Sequence, residues 1–218
     1  MEHYRYNCIG GVCPRRDFRR PLDKETRAED LIVVLHTTYT GLKGLPGYSV
    51  SADGQEYYDA QRYIDCDEVY PGVFIGDGQT ACNKQYLCNR IHATHVLNAA
   101  EGKSFGYVNT DAKYYAGTGI EYMGCHMIDA PSTNISQYFY PAADFIDNAL
   151  RKGGRVYVHC VQGVSRSATL VVAYLMIKKG MLASEALRTV TLARNIQPNS
   201  GFLRQLADLD NSLRRSRS

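Results

Sequence analysis

Long apolar runs are missing from this chain. The longest, Leu170 to Ile177, has eight residues, whereas a helix needs about 20 to cross a bilayer, so no membrane span is expected. The opening MEHYRYNCIG carries charge and lacks an apolar core, so no secretory leader is expected either. Charge of one sign is not in excess: 25 Lys and Arg stand against 22 Asp and Glu, a net +3. Dedicated nucleic-acid binders concentrate more positive charge in one patch, so neither nucleic acid nor membrane is an expected partner. Cys8 and Cys13 are separated by four residues with no second pair at finger spacing, which argues against a structural zinc site. The phosphate loop of nucleotide-binding proteins, G-x-x-x-x-G-K-[ST], is absent, as is a kinase motif set. No repeat period and no low-complexity block is present.

What remains is an ordinary globular composition. With 218 residues, 44% hydrophobic and 22% charged, the chain is one large domain or one domain plus a tail, with enough length to bury a sizeable core. Seven cysteines and no leader imply a reducing compartment, so the cytoplasm, and also the nucleus, are the expected locations. Asn134-Ile135-Ser136 fits a glycosylation sequon and is read as chance in that setting.

Three regions are expected. Residues 1–27 are polar, with Arg15, Arg16, Arg19 and Arg20 clustered, and read as a solvated basic tail. Residues 28–65 begin with a helix, announced by Thr26 to Glu29 as a capping box before Leu31 to Leu35, and continue as a Gly-rich loop packing on the domain. Residues 66–215 form the compact domain. There, strand signals at 73–75, 94–98, 120–125 and 155–159 alternate with helix signals at 81–89, 135–150, 167–179, 183–194 and 201–213. That alternation predicts an α/β fold, a sheet covered by helices on both faces. Arg214 to Ser218 read as a solvated end.

The chemistry concentrates in His159-Cys160-Val161-Gln162-Gly163-Val164-Ser165-Arg166-Ser167. A buried strand ends at His159 and a helix starts near Arg166, so Cys160 lies at the C-terminal edge of the sheet, where α/β proteins bind ligands. Gly163 lets the loop turn. Such a loop aims backbone N–H groups inward, and the helix N-terminus adds partial positive charge, making an anion site. Arg166 supplies a planar clamp for oxyanions. A thiol there has its pKa lowered and sits under a bound phosphate, ready for in-line attack on phosphorus.

H-C-x-x-G-x-S-R-S resembles the signature of the cysteine-dependent phosphatases, and Ala173-Tyr174-Leu175-Met176 resembles the extended dual-specificity motif. Val96 to Gly102, Ala142 to Asp147 and Gln197-Pro198-Asn199 look similar to the small atypical members. The resemblance covers about residues 66–215. It implies a mixed, mostly parallel central sheet flanked by helices. It also implies hydrolysis of phosphotyrosine and phosphoserine/phosphothreonine without metal or cofactor. Carried over by position, Cys160 matches the nucleophile and Arg166 the arginine that binds phosphate and the transition state. Ser167 matches the hydroxyl that assists thiolate release. His159 matches the residue that supports the low thiol pKa through hydrogen bonding. Val161, Gln162, Gly163, Val164 and Ser165 complete the phosphate cradle. Asp129, in Met127-Ile128-Asp129-Ala130-Pro131-Ser132, matches the general acid; Asp144 and Asp147 fit less well because they fall inside a helix.

The implied partners are phosphorylated proteins, including doubly phosphorylated loops of the MAP-kinase type, because Arg194 resembles an arginine that handles a second phosphate. Gln162 and Val164 stand where relatives often carry an acidic residue and an aromatic one. The loop holds no Lys, which disfavours a lipid substrate. Two other readings stay open: a phosphate-binding pseudophosphatase, and a phosphatase of RNA or lipid phosphates. Cys125, four residues before Asp129, is held open as a redox partner of Cys160.

Overall fold

Strand β5 (Val156–His159) is buried along its whole length. A run of β-branched and aromatic residues with no polar alternation belongs to a strand covered on both faces. In the computed structural model, which describes residues 25–48 and 55–217, β5 is the centre of a five-stranded sheet. The order is β1 (Cys66–Tyr70), β2 (Val73–Gly76), β5, β3 (His95–Asn98), β4 (Glu121–Gly124). β1 and β2 form an antiparallel hairpin, and β2, β5, β3 and β4 run parallel. The sheet is mixed and mostly parallel, as expected.

Side chains alternate across the sheet because successive Cβ atoms of a strand point to opposite faces. Val73, Ile75, Leu97, Val156 and Val158 enter the larger core, while Phe74, Val96 and Tyr157 enter a smaller one. The larger core holds α1 (Ala28–Thr37), α5 (Phe139–Arg151), α6 (Arg166–Lys179), α7 (Ala183–Ala193) and α8 (Ser200–Arg217). The smaller one is covered by the short helices α2 (Gln55–Gln61), α3 (Gly78–Ala81) and α4 (Lys84–Asn89), together with Tyr115. Helices therefore cover both faces, unequally. α6 is buried all round from Arg166 to Met176, as expected of a helix at the middle of a core. It stops at Gly180, whose φ of 71° is the left-handed helix-ending conformation.

Several boundaries differ from the sequence reading. The N-cap of α1 is Arg27, not Thr26: the Asp30 carboxylate accepts the Arg27 N–H at 3.0 Å. Thr26 instead donates its hydroxyl to Asp210 on α8. The helix expected over 81–89 is two helices, because Asp77 and Asn83 each cap a new start by accepting the N–H of Thr80 and Tyr86. The helix expected from 135 opens as a 3-10 turn at Ser136–Tyr138, with Pro141 in the first turn of α5. α8 continues to Arg217, which donates to the carbonyls of Gly180 and Met176 at the end of α6. The arginines at 15, 16, 19 and 20, and Cys8 and Cys13, lie outside the described residues.

Candidate active site

The loop from Cys160 to Ser165 joins the end of β5 to the start of α6. Its carbonyls are tied outward. Val161 O accepts the N–H of Gly78, and Val164 O accepts that of Gln197. Gln162 O and Gly163 O accept from the Arg194 guanidinium. In a planar trans peptide the C=O of one residue and the N–H of the next point in opposite directions. Four outward carbonyls therefore turn the N–H groups of Gln162, Gly163, Val164 and Ser165 inward. Gly163 N–H reaches Cys160 Sγ at 3.2 Å. Gly163 is required there: its φ is +67°, and a Cβ would run into the Gly76 carbonyl and Arg194.

Cys160 is 2% exposed. Burial alone would raise its pKa. The hydroxyl of Ser167, 3.4 Å from Sγ, and the Ser167 backbone outweigh it, joined by the Arg166 charge and the Gly163 N–H, and the thiol is lowered below its ordinary value. Arg166 is 4% exposed. Its Nη1 donates to the carbonyls of Gly106 and Met127, both at 3.0 Å, which pins one end of the guanidinium. Its Nε stands 3.5 Å from Asp129 Oδ2.

Asp129 is 31% exposed at its side chain. Oδ1 accepts from Ser165 Oγ at 2.9 Å and from Asn199 Nδ2 at 2.8 Å. Asp129, Cys160, Val161, Gln162, Val164 and Arg166, with Gly106, line one cavity of about 260 Å³. A thiol, a guanidinium and a carboxyl group thus share a single mouth. This combination can attack a phosphoryl group, hold its equatorial oxygens and exchange a proton with the departing or attacking oxygen.

Two expected site residues stand differently. His159 does not touch the thiol: its Nδ1–H donates to the Cys160 carbonyl at 3.1 Å, and its other ring nitrogen has no protein partner among the described residues. Its ring stacks on Tyr157, two residues back on β5, which belongs to the smaller core, whereas Cys160 belongs to the larger one. Arg194 is the larger correction. It does not line the cavity but lies behind the loop, 6% exposed, held by Asp65 and Asp67 at 2.6 and 2.8 Å. With two loop carbonyls and two carboxylates on it, none of its five N–H donors is left for a second phosphate. Three site residues were not foreseen. Asn199 and the Met127 carbonyl fall within stretches that the sequence motifs mark, Gln197 to Asn199 and Met127 to Ser132, although no role at the site attaches to them there; Gly106 falls in none. Cys125 is fully buried, and burial pushes its thiol up to about 12, the opposite of a reactive thiolate.

Comparison with known proteins agrees with this geometry. The family described as dual specificity phosphatase, catalytic domain, matches residues 73–212. Dual specificity protein phosphatase 13B of Homo sapiens is 52% identical over 150 residues, 68% of this chain and 74% of that protein. The protein of the same name in Mus musculus is 49% identical over the same shares. Among solved structures, human DUSP28 superposes with a TM-score of 0.59 at 26% identity, over 68% of this chain and 94% of that one.

Proposed function

The chain belongs to the dual specificity phosphatase family, and from that membership we propose a two-step route through a phosphocysteine on Cys160. The protein is a hydrolase of phosphorylated proteins. Phosphotyrosine and phosphoserine or phosphothreonine are its substrate groups. The observation that carries the mechanism is the convergence of Cys160, Arg166 and Asp129 on one cavity.

In the first step the Cys160 thiolate attacks phosphorus in line. The S–P bond forms as the P–O bond to the substrate side chain breaks, and Asp129 gives its proton to the departing oxygen, a poor leaving group otherwise. The inward N–H groups and Arg166 meet the charge on the equatorial oxygens. In the second step Asp129 takes a proton from water, which attacks phosphorus and breaks the S–P bond. The Ser167 hydroxyl stabilises the thiolate as it leaves.

Turnover of p-nitrophenyl phosphate by wild type, Cys160→Ser and Asp129→Ala tests this. Wild-type turnover no greater than that of Cys160→Ser would sink it. A panel of phosphotyrosine peptide, doubly phosphorylated peptide, phosphoinositide and RNA triphosphate tests the substrate class, and turnover confined to lipid or RNA would reverse it. Doubly phosphorylated MAP-kinase-type loops belong in the panel, but a preference for them loses the support Arg194 was expected to supply. A cytoplasmic and nuclear location is supported by the need for a reduced Cys160. Fractionation of cells under non-disrupting conditions checks it.

A further inference from the structure

Arg194 sits at the C-terminal end of α7 and is engaged on every side. Nε donates to Gly163 O at 2.7 Å, and Nη2 to Gln162 O at 3.2 Å. Nη1 donates to Asp65 Oδ1 and Asp67 Oδ2, at 2.6 and 2.8 Å, and Nη2 to Asp65 Oδ2 at 2.6 Å. These five contacts match the five N–H donors of a guanidinium. Asp65 precedes β1 and Asp67 lies on it, so the arginine links the edge of the sheet to the catalytic loop. Its fork with Asp65 is bidentate, the geometry that fixes a guanidinium in orientation as well as position.

The two loop carbonyls it holds belong to consecutive peptide groups. Holding Gln162 O turns the Gly163 N–H toward Cys160 Sγ, and holding Gly163 O turns the Val164 N–H into the cavity. Glycine at 163 makes the loop permissive, because a residue without a Cβ resists rotation of its flanking peptides least. An outside hold is therefore most needed at this point in the chain.

We propose that Arg194, anchored by Asp65 and Asp67, is a positioning residue that sets the two central peptide groups of the phosphate loop in their inward orientation. It acts through the loop and touches no substrate. The proposal rests on Cys160 being the nucleophile, and it replaces the second-phosphate role with one that applies to every substrate, including the smallest.

Arg194→Lys is the informative variant. Lysine keeps the positive charge between the two aspartates but is a single point charge that cannot serve both loop carbonyls and the carboxylate fork together. Circular dichroism and thermal melting report the fold. The rate of alkylation of Cys160 by iodoacetamide against pH reports its thiolate fraction without requiring turnover. In folded Arg194→Lys the alkylation midpoint is expected to rise by about half a unit to one unit, as an N–H aimed at Sγ is lost. kcat/KM for p-nitrophenyl phosphate is expected to fall about 10- to 100-fold, with an equal fall for a doubly phosphorylated peptide. Asp65→Asn/Asp67→Asn, which leaves Arg194 in place but unanchored, is expected to shift the midpoint in the same direction.

A folded Lys variant with the wild-type midpoint and wild-type turnover of p-nitrophenyl phosphate overturns the proposal. So does a loss confined to the doubly phosphorylated peptide, which assigns Arg194 to a second phosphate after all. Unfolding of both variants overturns it too, since the network would then serve the fold and not the loop. Failure of the phosphatase reading looks different: Cys160 of the wild type would then be alkylated normally while turnover is absent.

Discussion

Asn199 Nδ2 donates to Asp129 Oδ1 at 2.8 Å, across a separation of 70 residues. The same oxygen accepts from Ser165 Oγ, so Oδ1 is held by two donors while Oδ2 stands 3.5 Å from Arg166 Nε. Asp129→Asn is expected to lower kcat by about 10²- to 10⁴-fold, the usual range for a general acid. Asn199→Ala is expected to lower it by about 10-fold, with little change in KM, and to add nothing on the Asp129→Asn background. Additive losses in that double variant would show that Asn199 acts elsewhere.

Ser167 Oγ lies 3.4 Å from Sγ, close enough to stabilise the thiolate both before attack and as it leaves. With Ser167→Ala the phosphocysteine is expected to accumulate. Rapid-mixing kinetics with p-nitrophenyl phosphate should then give a burst of nitrophenol followed by a steady rate about 10- to 100-fold below wild type. A slow rate without a burst would place the hydroxyl in the first step alone.

His159 imposes a pH dependence on stability. Burial pushes its pKa from 6.5 down to about 4. The hydrogen bond to the Cys160 carbonyl opposes this shift and the charge of Arg166 adds to it. In the unfolded chain the ring takes up its proton near 6.5. Between about pH 6.5 and 4 the unfolded state thus binds the extra proton, and stability falls as pH drops through that window. The full contribution holds above it and the loss reaches at most about 3 kcal/mol. Urea unfolding at a series of pH values should show this slope, and His159→Asn should flatten it. An equal slope in both proteins would mean another group is responsible.

Gly163→Ala places a methyl group against the Gly76 carbonyl and forces a side chain onto a φ of +67°. A cost of about 1–3 kcal/mol is expected, which for a chain of this size lowers the melting temperature by about 2–4 °C per kcal/mol. Phosphatase activity should fall further than stability does, because the displaced peptide is the one that faces Sγ. An unchanged melting curve would contradict the packing described.

A lowered thiol pKa also exposes Cys160 to oxidation. Peroxide is expected to inactivate the enzyme and dithiothreitol to restore it. Cys125 is fully buried and its thiol is raised to about 12, so Cys125→Ser should leave both the rate of inactivation and the recovery unchanged. Loss of recovery in that variant would make Cys125 the resolving thiol.

The legible parts of the site were those carried by consecutive residues. Cys160 to Ser165 form one turn between a strand and a helix, Arg166 and Ser167 open that helix, and both flanking elements are announced by their own apolar patterns. A contiguous loop needs no tertiary knowledge to be recognised, and neither do the strand and the helix on either side of it. Helix starts were less legible. Asp77 and Asn83 divide one expected helix into two because each carboxyl or amide oxygen captures an N–H, and the competition between a cap and a continuing turn is decided by small local energies. Arg194 was misread for a different reason. An arginine at a helix end is compatible with solvent, with a ligand or with a buried carboxylate, and its own neighbours in sequence do not distinguish them.

By itself the sequence picked out Cys160, the loop that follows it and the α/β frame, since each depends on backbone turns and side chains within a few residues of one another. Tertiary structure decided the rest. Asp65, Gly106, Asp129 and Asn199 come from four separate segments, and only the pairing of all five strands in one sheet, with α7 and α8 packed on α6, brings those segments to the same edge. The direction of the loop's N–H groups is also a tertiary property: it is set by what accepts or donates on the far side of each peptide plane, and those partners, Gly78, Arg194 and Gln197, lie outside the loop.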